Sequence, residues 1–140
     1  MTMTLQLPTK IQLASSPEEL NKIEQIVNEL CTVYNIGEEF YGNILLALTE
    51  AFNNAVQHGN KNNPLKTIEL SQHHEPGKLI FKVSDQGEGF DVHSVPDPTD
   101  PENLEKITGR GVFLMRNMAD EVNFSQNGKT VEIVFLLKGN

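Results

Sequence analysis

The sequence has one cysteine, no tryptophan and few basic residues, and these shortages exclude several kinds of protein. Cys31 has no second cysteine to pair with, so no internal disulfide forms and a small core residue is expected. The 11 Lys and Arg residues are outnumbered by 19 Asp and Glu, which gives a formal net charge of −8. Because the basic residues are scattered, neither direct nucleic-acid binding nor binding to an anionic membrane surface is predicted.

Long apolar runs are also missing. No stretch approaches the roughly 18 apolar residues of a membrane span, and residues 1–10 lack the apolar segment of a signal peptide. We therefore expect a cytoplasmic protein. With 140 residues, of which 38% are hydrophobic, the chain is expected to form a single domain over residues 1–140 with a real core.

The apolar periodicity predicts an α+β fold: a two-layer sandwich in which a mostly antiparallel mixed sheet is covered on one face by about three helices. The predicted elements are an edge strand at 9–14, a first helix with a capping box of Ser16 and Glu19, a second helix from about 38 to 58 that stops at Gly59, strands at 66–72 and 78–85, a short helix at 111–119, and a closing hairpin with a type I′ turn at Asn127-Gly128.

The second helix has an unusual polar face. In LALTEAFNNAVQHGN, residues 46–60, Glu50, Asn54 and His58 recur at four-residue spacing. Asn is a poor helix former, less favourable than Ala by up to about 0.7 kcal/mol, and no Lys or Arg lies four residues from Glu50 to pair with it. This face predicts a chemical site rather than a solvated surface, with His58 favoured as a helix-end hydrogen-bonding residue rather than a catalyst.

Two glycine-containing stretches are further candidates. DQGEGF places Gly87 and Gly89 directly after Asp85 at the end of an apolar strand, where the backbone can approach a ligand closely. It is not a dinucleotide fingerprint, because Val92 occupies the third glycine position and no helix follows, and a simple tight turn remains the alternative.

The second stretch is TGRGVFLM. Gly109 and Gly111 precede a helix whose first turn carries no acidic residue, so free N–H groups together with Arg110 would suit phosphate oxygens. A flexible helix entry is the alternative. Between the two stretches, residues 91–108 contain three prolines and no periodicity, which is typical of a functional or mobile loop.

Taken in order, E-x-x-x-N on a helix, D-x-G-x-G after a strand and G-x-G at a helix start resemble the GHKL-type ATPase domain, the histidine-kinase-like ATPase, over residues 9–138. Within that superfamily the segments LALTEAFNNAVQHGN and TGRGVFLMRNMADEV resemble those of the anti-sigma factor serine/threonine kinases of bacterial partner-switching systems. The resemblance implies ATP and Mg²⁺ as cofactors, Glu50 as the catalytic base and Asn54 as the magnesium ligand.

The same resemblance assigns the remaining site residues. Asp85 would accept a hydrogen bond from the exocyclic amine of adenine, with support from Thr130, and residues 92–108 would form a lid. The residues expected to contact the nucleotide backbone or leave room for it are Gly87, Gly89, Gly109, Arg110, Gly111 and Val112.

The function implied is transfer of the ATP γ-phosphate to a Ser or Thr of an anti-sigma antagonist protein, with a sigma factor as a further candidate partner. The alternative is a nucleotide-gated binding module that sequesters a sigma factor or another partner with little kinase activity. The resemblance also implies a homodimer, formed near the strand edge at Lys10–Ala14 or the face beside it.

Overall fold

The computed structural model describes residues 9–87, 107–126 and 128–137. Over these residues the chain forms five strands and three α-helices. In chain order they are β1 (Lys10–Ala14), α1 (Leu20–Val33), α2 (Glu38–Asn54), β2 (Thr67–Glu75), β3 (Lys78–Ser84), α3 (Ile107–Met118), β4 (Glu121–Ser125) and β5 (Thr130–Leu136).

The strands form one sheet in the order β1-β2-β3-β5-β4, and each neighbouring pair is antiparallel. The predicted two-layer α+β fold is confirmed, and β1 is an edge strand as expected. Because side chains alternate across a strand, one face of the sheet is apolar and packs against the helices. The buried residues of β3 and β5 on that face are Leu79, Phe81, Val83, Val131, Ile133 and Phe135.

The helices complete the core with apolar residues at helical spacing. Ile23, Val27 and Leu30 of α1 are fully buried and form an apolar stripe along one side of the helix. Met115 of α3 is also fully buried, while Cys31 is only partly buried and packs at the edge of the core. Burial nevertheless raises the pKa of the Cys31 thiol.

The start of α1 differs from the predicted capping box. The Ser16 hydroxyl accepts a hydrogen bond from the Glu18 amide at 3.4 Å, and a short 3₁₀ turn over Pro17–Glu19 precedes the α-helix. The Glu19 carboxylate accepts instead from the Ala14 amide at 2.9 Å. Glu19 therefore ties the helix start to the end of β1 rather than closing on Ser16.

The end of α2 also differs from the prediction. The α-helix stops at Asn54, and residues Ala55–Gly59 form a π-helical turn in which the Asn60 amide donates to the Ala55 carbonyl at 2.8 Å. Gly59 is not a left-handed helix stop, since the positive φ values lie at Lys61 and Asn62. Such π-turns inside helices frequently mark functional positions.

The third helix begins earlier than the sequence indicates. It starts at Ile107, so Gly109, Arg110 and Gly111 lie within its first turns rather than before it. Only the first four N–H groups of an α-helix lack a partner within the helix. Gly111 is the fifth residue of α3, and its backbone N–H is therefore used by the helix.

The turn between β4 and β5 is longer than the predicted type I′ turn. The strands end at Ser125 and resume at Thr130, and Ser125 pairs with Thr130. Gln126 and Gly128 both have positive φ, at 52° and 82°. Asn127 lies outside the described residues, as do Gly89 and most of the predicted lid at 92–108.

Candidate functional site

A small cleft, with an empty volume of about 290 Å³, lies between the carboxyl end of α2, the helix α3 and the ends of strands β3 and β5. Its floor is apolar and its polar groups come from three separate segments of the chain. The lining residues are Ala51, Asn54, Ala55, Val83, Asp85, Met115, Phe124, Gly128, Lys129 and Val131. Two residues predicted from separate motifs, Asn54 and Asp85, therefore line the same cleft.

Asn54 is the last residue of α2 and points at the first turns of α3. A Cβ added at Gly111 would lie 2.9 Å from both Asn54 amide atoms, so glycine at 111 leaves room for this side chain. Within the described part of the chain, the buried Asn54 Nδ2 has no hydrogen-bond partner. Buried polar atoms are nearly always paired, so this amide has the character of a group that binds a ligand.

Asp85 follows β3 and is held by the backbone around it. The Gly87 amide donates to Asp85 Oδ1 at 2.8 Å, and the Asp85 amide donates to the Lys129 carbonyl at 2.9 Å. A Cβ at Gly59 would overlap the Asp85 carboxylate. The π-helical turn therefore packs directly against the carboxylate, and Gly59 is glycine because of this close approach.

Burial raises the pKa of Asp85, an effect partly offset by the Gly87 hydrogen bond and by the charges of Lys129 and Lys66. Because the pKa of Asp85 is higher in the folded protein than its unfolded value of 3.8, protonation of Asp85 favours the folded state. This contribution to stability is fully present below pH 3.8 and is lost as the pH rises through the folded-state pKa. Ionised Asp85 thus reduces stability at neutral pH in the protein without ligand.

We therefore expect Asp85→Asn to become progressively more stable than wild type as pH increases from about 4 to about 7. The measurement is the difference in melting temperature between the two proteins at each pH, because other titrating groups cancel in that difference. A difference that stays constant across this range would contradict the assignment of a raised pKa to Asp85.

Glu50 lies one helical turn before Asn54 on α2 and is partly buried. It is not among the residues that line the cleft. The predicted base therefore lies beside the cleft, while the predicted magnesium ligand and adenine-binding residue lie in it.

His58 lies one turn after Asn54, inside the π-helical turn. Burial lowers the pKa of its imidazole and so favours the neutral ring. Its Nε2 atom is buried and, among the residues that the structure describes, has no hydrogen-bond partner. The hydrogen bond expected for a helix-end His58 is therefore not made at this nitrogen.

Three other residues predicted to contact the nucleotide are not among those that line the cleft. Gly87 lies beside the cleft, but a Cβ there would overlap the Gly59 carbonyl oxygen, so its backbone packs against the π-turn. Val112 is only 2% exposed and its side chain belongs to the core. Thr130 bonds Ser84 through their hydroxyls at 2.9 Å, and by strand alternation both lie on the sheet face away from the helices.

Sequence reasoning did not find two residues of the site. Lys129 lines the cleft from the β4–β5 turn, and Gly59 contacts Asp85. The one available signal for Gly59 is its place at the end of the polar helix face, and that signal fits an ordinary helix stop equally well.

The family is decided by comparison with known proteins. A family model described as a histidine kinase-like ATPase domain matches residues 13–135. The chain belongs to this family. The match includes the segment of α2 with Glu50 and Asn54, the end of β3 with Asp85, and α3.

Named relatives of this histidine kinase-like ATPase domain are bacterial kinases. The serine-protein kinase RsbW of Staphylococcus epidermidis is 31% identical over 101 residues, which cover 66% of this chain and 64% of that protein. RsbW of Listeria innocua is 29% identical over 126 residues, covering 86% of this chain and 76% of the relative. The match thus spans less than two thirds of the Staphylococcus protein.

A solved structure agrees on the fold. The structure of the RsbU and RsbW domains of Rv1364c from Mycobacterium tuberculosis superposes with a TM-score of 0.61 at 14% identity, over 94% of this chain and 33% of that one. Over the described residues, no helix of the histidine kinase-like domain has the length and apolar character needed to cross a membrane.

Proposed function

We propose that this chain is a single ATP-binding domain that acts as a protein-serine/threonine kinase and transfers the γ-phosphate of ATP to an anti-sigma antagonist protein. The observation that carries the proposal is that Asn54 and Asp85, from distant parts of the chain, line one cleft. The relatives named serine-protein kinase RsbW supply the reaction class and the bacterial setting.

Asp85 would make the site select adenine over guanine. A carboxylate in this partly buried position accepts a hydrogen bond from the exocyclic amine, and bonds to charged groups contribute about 1.5–3 kcal/mol. Guanine presents a carbonyl oxygen at the same edge, and two acceptors repel each other. The apolar floor of the cleft includes Val83 and Val131, which would lie next to the base.

The donor set around Asn54 fits magnesium and phosphate. Mg²⁺ prefers oxygen ligands and takes few from the protein beside substrate phosphates. The Asn54 carbonyl oxygen would be one such ligand and adds no negative charge next to a triphosphate, while the buried Nδ2, which has no partner among the residues that the structure describes, would donate to a ligand oxygen. A magnesium ion held there would neutralise charge on the β- and γ-phosphates, and Gly111 of α3 lies against the same Asn54 side chain.

In the transfer step, a serine or threonine oxygen of the partner forms a bond to the γ-phosphorus while the bond to the β–γ bridging oxygen breaks. Glu50 takes the hydroxyl proton, and ADP leaves. Positioning and charge neutralisation account for most catalysis of this type, so the partner's hydroxyl must be brought to the Glu50 side of the cleft.

A second candidate is favoured by the position of Glu50 outside the cleft lining. In this candidate the nucleotide sets the shape of a surface that sequesters a sigma factor, and phosphate transfer is incidental. The two candidates share nucleotide binding and differ in whether transfer governs partner release.

Mg·ATP is expected to raise the melting temperature of the wild-type protein, because a ligand at 100 times its Kd stabilises by about 2.7 kcal/mol. Asp85→Ala should bind about 10- to 150-fold more weakly, since it loses one charge-assisted hydrogen bond, and about half or more of the shift should disappear at the same ATP concentration. Thermal denaturation with and without Mg·ATP measures both.

Glu75→Ala is the matched control for this experiment. It removes an exposed carboxylate at the far end of β2 and should keep the full shift. The proposal of ATP binding is overturned by a wild-type protein that shows no shift with Mg·ATP, and the proposed role of Asp85 is overturned by an equal shift in Asp85→Ala.

A further inference from the structure

Asn60 is a completely buried polar residue that lies directly after the π-helical turn. Its Nδ2 donates to the Ser15 hydroxyl at 3.0 Å and to the Thr67 carbonyl at 3.1 Å. Its Oδ1 accepts from the Gln86 amide at 2.8 Å. One side chain therefore joins the segment after β1, the start of β2 and the turn after β3.

The turn after β3 is tied to the same place a second time. The Gln86 side-chain carbonyl accepts from the Thr67 amide at 2.8 Å. Gln86 is thus held through its backbone by Asn60 and through its side chain by Thr67. Because Gln86 is the residue next to Asp85, these two hydrogen bonds restrain the backbone that carries the Asp85 carboxylate.

Gly59 adds a steric restraint from the neighbouring position. A methyl group at Gly59 would overlap the Asp85 carboxylate, and one at Gly87 would overlap the Gly59 carbonyl oxygen. The last residue of the π-turn touches the carboxylate, and the next residue bonds to the turn behind it. The end of α2 and the turn at 85–87 therefore behave as one unit.

We infer that Asn60 is a positioning residue for recognition of the base, acting through Gln86 on Asp85, and this inference rests on the proposed binding of adenine by Asp85. A hydrogen bond weakens steeply once donor and acceptor leave a separation of about 2.7–3.2 Å. A turn released from Asn60 shifts the carboxylate relative to the purine edge. The side chain must be an amide, because it donates to two oxygens while accepting from an N–H.

The test compares ATP with purine riboside triphosphate, which lacks the exocyclic amine. Wild type should bind ATP about 10-fold or more tightly than this analogue. In Asn60→Ala that preference should fall towards equality while the Kd of the analogue changes by less than about 2-fold. Gln86→Ala, at an exposed side chain, should lose part of the preference and serves as the deciding variant where Asn60→Ala does not fold.

Two controls complete the experiment. Asn63→Ala changes a residue of the same loop whose side chain accepts a hydrogen bond from the Leu65 amide. That hydrogen bond is not part of the network of Asn60 and Gln86, so the variant should keep the wild-type preference. Asp85→Ala defines the preference that remains when the carboxylate is absent. Titration calorimetry on the folded proteins measures every Kd.

The outcomes separate the two proposals. A wild-type protein with no preference for ATP contradicts the proposed role of Asp85. If wild type prefers ATP and Asp85→Ala abolishes the preference, but Asn60→Ala and Gln86→Ala retain it, the positioning role is overturned and the adenine site stands. Equal weakening of both nucleotides in the Asn60 and Gln86 variants assigns Asn60 a structural role alone and also overturns the inference.

Discussion

Glu50→Ala is expected to lower the rate of phosphate transfer by about 10²–10⁴-fold, the usual contribution of a general base. Binding of Mg·ATP should change little, because Glu50 does not line the cleft that holds Asn54 and Asp85. The helix itself should tolerate the change, since Ala is the best helix former. Transfer of labelled γ-phosphate to the antagonist protein, together with a nucleotide titration, measures both properties.

Glu39→Ala is the matched control, because it removes an exposed carboxylate from the first turn of the same helix. It should transfer phosphate at the wild-type rate. Undiminished transfer in Glu50→Ala would remove Glu50 from the mechanism. If partner release still follows the exchange of ADP for ATP in a Glu50→Ala protein that transfers no phosphate, the binding-module function is primary.

Gly87→Ala is expected to lower the free energy of unfolding by about 1–3 kcal/mol, the usual effect of forcing an extra methyl into packed structure. The methyl would overlap the Gly59 carbonyl oxygen, which is backbone and cannot rotate away. The turn and the end of α2 must separate to admit it, so the affinity for ATP should fall as well. Urea denaturation followed by circular dichroism gives the free energy of unfolding.

Gly42→Ala makes the same chemical change where the structure predicts the opposite sign. Gly42 lies in α2, is exposed, and has no neighbouring atom within 4 Å of an added Cβ. Alanine there should raise the free energy of unfolding by up to about 1 kcal/mol, since glycine is less favourable in helices by that amount. A Gly87→Ala protein as stable as Gly42→Ala would mean that the close approach at residue 87 is not maintained in solution.

The fold was predictable because its signals are local. The apolar stripe of α1, with Ile23, Val27 and Leu30, follows the helical period, and the strands β1, β2 and β3 alternate apolar and polar residues. These patterns depend only on neighbours a few residues apart. Element types and the sandwich architecture therefore follow from sequence.

Element ends were less predictable, and they matter most for the site. The capping residues of α1 bond elsewhere, α2 changes to a π-turn after Asn54, and α3 begins before its two glycines. Two of these ends make tertiary contacts. Glu19 bonds the Ala14 amide of β1, and Gly59 meets Asp85.

The chemistry of single residues was predictable from the sequence. Glu50 and Asn54 are an acid and an amide one turn apart on one helix face, and Asp85 is an aspartate at a strand end in a glycine-containing segment. Their arrangement was decided by the tertiary structure, which brings Asn54 and Asp85 into one cleft, leaves Glu50 beside it and places Thr130 on the opposite face of the sheet. The physical reason is that periodicity specifies which face of an element is apolar. Sheet register and helix packing, which involve residues far apart in the chain, determine which polar residues meet at the ends of those elements.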